Sequence, residues 1–131
     1  MSALPPTMAE VIRADGRYAP QAYRFLQEGL TQAEKRVHGD LKRESDEPRH
    51  VSGQQLCWAL RDLARERWGM LAVAVLGGWG VRETMDFGEM VYLLIEHDFM
   101  RNSPTDAIED FRDVYDFGEA FRGLGKAEPR S

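Results

Sequence analysis

Residues 68–81 read WGMLAVAVLGGWGV, the longest uncharged run in the chain, and the segments on both sides alternate polar with apolar residues at helical spacing. Over 70–77 the run is apolar on every side, which is the pattern of a helix surrounded by other helices. Val73 and Val75 also suit a buried strand, but no second convincing strand is present to pair with it. The expected fold is therefore all-α: a single compact domain of five or six helices around a central apolar helix at 70–77. Gly77, Gly78 and Gly80 then form a turn around Trp79.

The flanking helices follow from local signals. Met8, Val11 and Ile12 share one face of a short helix that Asp15 and Gly16 stop. Pro20 suits the first turn of the next helix, where Ala22, Phe25, Leu26, Gly29, Leu30, Ala33 and Val37 keep the i, i+3, i+4, i+7 spacing. Ser52 and Gln55 spell a capping box, with Val51 placed to staple against Leu56, and the helix they open buries Leu56, Ala59, Leu60, Leu63 and Ala64. Trp68 and Gly69 break it. Thr84 is the expected N-cap of a helix whose face is Phe87, Met90, Val91, Leu94 and Ile95. From Ser103 and Pro104 a last helical region carries Ile108, Phe111, Val114, Tyr115, Phe117 and Phe121 inward.

These elements divide the 131 residues into a short N-terminal helix and arm at 1–17, a helical core at 18–122 interrupted by a charged loop at 38–49, and a disordered tail at 123–131. No apolar run approaches the roughly 18 to 20 residues that span a bilayer. The N-terminus lacks a basic start followed by an apolar segment, so no secretory signal is read and the cytoplasm is the expected location. Cys57 is the single cysteine, which excludes an internal disulfide and a zinc site of several thiolates.

The net charge of −5 is unevenly spread: 12 basic against 10 acidic residues up to Arg82, then 5 against 12 from Glu83 onward. That acidic half argues against nucleic acid, whose phosphates call for a basic stripe, and leaves only the local cluster Arg61, Arg65, Arg67 for a weak nucleic-acid-binding alternative.

Asp-Phe-Gly-Glu occurs at 86–89 and at 116–119. A kinase magnesium signature needs a glycine-rich loop, a catalytic His-Arg-Asp and a strand lysine that this chain lacks, so both copies read as acidic helix starts followed by a core aromatic. The glycines at 77, 78 and 80 do not spell a dinucleotide fingerprint, and no cofactor is expected. Glu96, His97, Asp106 and Asp110, or His50 beside the capping box, are the candidates for a metal-dependent or hydrolytic small enzyme. The bland counterpart is a solvated acidic face and a surface histidine. Cys57 reads as a small buried hydrophobe.

Trp58 falls outside its helix's buried stripe beside Arg61 and Arg65, as an interface anchor does. Trp79 on its glycine turn, with Arg82, Asp86 and Glu89 just after it, marks the one place where backbone, indole and charge meet. Trp58, Arg61, Arg65, Trp79, Arg82, Asp86, Glu89 and His50 are accordingly the candidate interaction residues, and the leading expectation is a non-catalytic helical module that binds an unknown protein partner or itself, away from membranes.

Four strings, AYRFLQEGL at 22–30, HVSGQQL at 50–56, GMLAVAVLGGWGVRETMDFGEMV at 69–91 and EDFRDVYDFGEAF at 109–121, together resemble a family of small conserved bacterial proteins met chiefly in planctomycetes and verrucomicrobia. The resemblance covers most of the chain between Tyr18 and Phe121. It implies a bacterial cytoplasmic protein and brings no activity, ligand or catalytic residue with it.

Overall fold

The computed structural model describes residues 6–38, 51–101 and 106–122. Most of the charged loop, His50, the Ser103-Pro104 start signal and the tail at 123–131 lie outside the described residues. Among the described residues the chain is all-α, with no strand, and its buried side chains form one core. In order the helices are α1 (Met8–Asp15), α2 (Pro20–His38), α3 (Gly53–Trp68), α4 (Ala72–Gly78), α5 (Thr84–Glu96) and α6 (Phe117–Ala120), with 3-10 turns at Gly69–Leu71 and Ile108–Phe111.

Local chemistry explains most of the boundaries. Ser52 Oγ accepts from Gln55 N at 3.1 Å while Gln55 Oε1 accepts from Ser52 N at 2.9 Å, so α3 opens on the expected capping box. Thr7 and Glu10 make the same reciprocal pair at the start of α1. Gly16 ends α1 in the left-handed region, with φ of 75°. α2 and α3 pack closely, Gly29 lying against Leu60, and α1 adds Val11 and Ile12 to the same core. Val37, the last position of the α2 stripe, is exposed.

The centre of the molecule is α3 with α2 and α5: Phe25, Leu26, Cys57, Leu60, Phe87, Met90 and Leu94 are almost wholly inaccessible. The expectation of a central apolar helix at 70–77 is corrected here. Met70 and Leu71 are 64% and 66% exposed, Val73 is 43% exposed, and only Ala72 and Leu76 of the segment are buried. An all-apolar run indicates full burial only where neighbours are present on every side. α4 is seven residues long and packs chiefly on α3, so one face remains outside.

A second correction concerns the last region, which is not a continuous helix. After the 3-10 turn at Ile108–Phe111 the chain turns again at Arg112 and Asp113, the latter in the left-handed region at φ of 51°, before the single turn of α6. Thr84 accounts for the interruption. It is the first residue of α5, Glu83 being the N-cap in place of the expected Thr84, and its buried hydroxyl donates to Phe111 O at 2.6 Å and accepts from Val114 N at 3.2 Å. Those are backbone groups that a continuing helix would pair internally. Phe111 reaches this position because Gly53 and Gly88 leave room on both sides; a Cβ on either would stand about 2.9 or 2.8 Å from it.

Candidate functional site

The turn after α4 assembles the charged candidates, and it spends them on holding the fold. Gly80 has φ of 95°, and a Cβ there would lie 2.5 Å from Arg17 O, so only glycine admits the link between α1 and α2 this closely. Ala19 N donates to Trp79 O at 3.0 Å. Asp86 Oδ2 accepts from Arg82 N at 2.8 Å and Glu83 N at 3.1 Å, and its Oδ1 accepts from the Tyr18 hydroxyl at 2.6 Å. Burial, reinforced by the bond to Asp86, pushes the Tyr18 hydroxyl well above its ordinary pKa. Glu89 pairs with Arg17 at 3.1 Å, and Arg17 also pairs with Asp15 at 3.0 Å. Asp86 and Glu89 therefore act as anchors for residues 15–18. Arg82 is exposed, and its backbone N–H is the part engaged.

Trp79 is half-buried rather than projecting. It meets Trp68 edge-on at 5.4 Å between ring centroids and Phe25 at 6.1 Å. Trp58 is 40% exposed. It is covered in part by Tyr115, 4.9 Å away, whose hydroxyl donates to Cys57 O at 2.7 Å, and the Arg61 guanidinium lies 4.8 Å from its ring centroid. The cover comes from the chain's own C-terminal segment.

The three arginines of α3 are divided among separate contacts. Arg61 pairs with Asp62, which also takes Arg36; Arg65 donates to Ala120 O; Arg67 pairs with Glu28. They do not converge into one basic patch.

The metal and enzyme candidates are likewise not brought together. Among the described residues no three His, Cys, Asp or Glu side chains lie close enough to hold a metal ion. His97 stacks on Phe99, Asp98 sits at φ of 66°, and Asp110 caps the 3-10 turn by accepting from Ala107 N. Asp106 precedes the 3-10 turn that holds Asp110, so the two do not stand on a continuous α-helix. His50 lies outside the described residues. Cys57 is fully buried, and burial pushes its thiol up to about 12, so it is a protonated core group at neutral pH.

What the sequence did not reveal is the outer face of α4. Met70 and Leu71 of the preceding 3-10 turn are exposed together with Val73, Ala74 and Gly78 of α4, while Ala72 and Leu76 are buried. A separate groove of about 270 Å³ lies between α2, α3 and α5, with Leu30, Leu56, Val91 and Ile95 in its lining beside Glu34 and Asp110. No described helix is long and apolar enough to cross a membrane. No protein-family model matches the chain, nor does any curated protein or solved structure.

Proposed function

We propose that this chain is a non-catalytic helical module that works by contact with another protein surface, in the bacterial cytoplasm that its motifs suggest. The supporting observation is the outer face of the 3-10 turn Gly69–Leu71 and α4: three large apolar side chains, Met70, Leu71 and Val73, more than two-fifths exposed, on a segment without an ionisable group from residue 68 to 81. Apolar side chains scattered singly over a surface need no explanation, but a contiguous uncharged face is the usual mark of an interface. The polar residues that might have served chemistry are committed elsewhere, Asp86 and Glu89 to the α1–α2 link and Cys57 to the core.

Leu71→Asp tests the reading, because it places a charge where burial against a partner is expected while leaving the 15.0 kDa fold untouched. Labelled wild-type protein in a native lysate should sediment faster than its own mass allows, and the Leu71→Asp variant, with unchanged helical circular dichroism, should sediment as a monomer. Wild type and variant sedimenting alike as monomers would sink the proposal.

A further inference from the structure

We propose that the groove between α2, α3 and α5 is a binding site for a small monoamine: an apolar body the size of one ring and a short chain, ending in a single ammonium group. The site is separate from the α4 face, since no residue from 68 to 81 lines it. Size is the first observation. The groove holds about 270 Å³, nearly twice the roughly 150 Å³ of an apolar cavity that takes up benzene. Leu56, Val91 and Phe111 in its lining are buried, and Leu30, Ile95 and Met100 are half-buried beside them. A single hollow of this volume has no room for the row of i, i+4 and i+7 side chains by which a helical peptide docks. The described residues include no strand whose edge could pair with an extended peptide.

Charge fixes the head group. The lining carries three carboxylates, Glu34, Asp106 and Asp110, against one cation, Arg101, which is exposed. Asp110 already accepts from Ala107 N at 3.2 Å. Glu34 is half-buried and has no hydrogen bond or ion pair among the described residues. A carboxylate partly shielded from water, set beside an apolar wall and lacking a cation, is the complement of an ammonium on an apolar stem. An anionic ligand would meet Glu34 and Asp110 as like charges, and a neutral one would leave Glu34 without a counter-charge.

The helix poles add the same sign. α5 reaches the groove in its last turn, at Ile95, and α2 one turn from its end, at Glu34, so both bring a negative C-terminal end toward it. The one N-terminus in the lining, that of α3, already holds the Ser52 and Gln55 side-chain oxygens of its capping box.

Phenylbutylamine is the probe, with phenylbutanol as its neutral and phenylbutyrate as its anionic counterpart, each titrated into full-length protein while methyl NMR shifts are read. The amine should bind saturably and shift the methyls of Leu30, Val91 and Ile95. Phenylbutanol should bind at least about fivefold more weakly, as the loss of one charge-assisted contact implies, and phenylbutyrate more weakly still. Glu34→Gln should lower the amine to the affinity of the alcohol and leave the alcohol's own affinity unchanged, a pattern that loss of the fold would not give. Leu30→Trp, which fills the groove, should abolish both at unchanged helical circular dichroism. Leu71→Asp should alter neither, so this site and the α4 face stand or fall separately. Equal binding of amine and alcohol, or an amine affinity that Glu34→Gln leaves intact, overturns the role of charge. Phenylbutyrate binding tightest of the three assigns the groove to anions through Arg101 and overturns the proposal. Amine shifts confined to Met70, Leu71 and Val73, or no saturable binding by any of the three, overturn the site itself.

Discussion

Thr84 is the one polar residue fully buried among those described, and its hydroxyl is used twice, as donor to Phe111 O and as acceptor from Val114 N. It replaces the two helix bonds that the 111–114 segment gives up, which makes it the fastening between α5 and the C-terminal chain. Thr84→Val keeps the shape and removes both bonds, leaving the buried Phe111 carbonyl and the half-buried Val114 N–H without this partner, so it should cost about 1–3 kcal/mol. Thr84→Ser keeps the hydroxyl and should lose clearly less; urea unfolding of the two variants, with equal m-values, measures the difference. From sequence Thr84 reads as an N-cap, because its true partners lie 27 and 30 positions away. Asp86 is hidden in the same way: its place near the start of a helix is visible, but its bond to Tyr18 spans 68 positions.

Elements were legible in proportion to how locally they are determined. The Ser52–Gln55 box, the Gly16 stop and the Trp68-Gly69 break depend on residues within a turn of each other, and each stands where the spacing places it. The Thr7–Glu10 box obeys the same rule and could have been read equally well. Which side of α4 is covered depends on how far α3 and its neighbours extend, and no property of residues 70–77 encodes that. The continuity of the last region fails for the related reason that Thr84, on another element, competes for its backbone. Capping strength is therefore the safest quantity to predict at this scale. Ser52→Ala should destabilise the protein by about 1 kcal/mol, seen as a lower urea midpoint with unchanged slope. Ser52→Asp, which can still accept from Gln55 N, should recover most of the loss.

At the scale of the whole molecule, a core that encloses Cys57, Tyr23, Tyr18 and the Tyr115 hydroxyl makes folding sensitive to alkali. Burial is the largest cause raising each of these groups, Cys57 from 9.0 to about 12 and Tyr23 from 10.0 to about 12. A raised folded-state pKa contributes stability that is complete below the unfolded value and is lost as pH climbs to the folded one, because the unfolded chain releases its proton first. Between pH 9 and 10 only the thiol of this set has passed its ordinary value, so stability should fall there at up to about 1.4 kcal/mol per pH unit. The tyrosines begin to add to the slope within that interval and dominate it above pH 10. Cys57→Ala separates the two contributions: its stability should fall less steeply than that of wild type through pH 9–10, by the thiol's share, and the two slopes should converge at higher pH. Urea midpoints at half-unit pH steps, read beside tyrosinate absorbance, check this order. Wild type and Cys57→Ala declining in parallel from pH 9 would assign the thiol's share to another group, and tyrosinate appearing ahead of helix loss would mean that the rings reach solvent without unfolding.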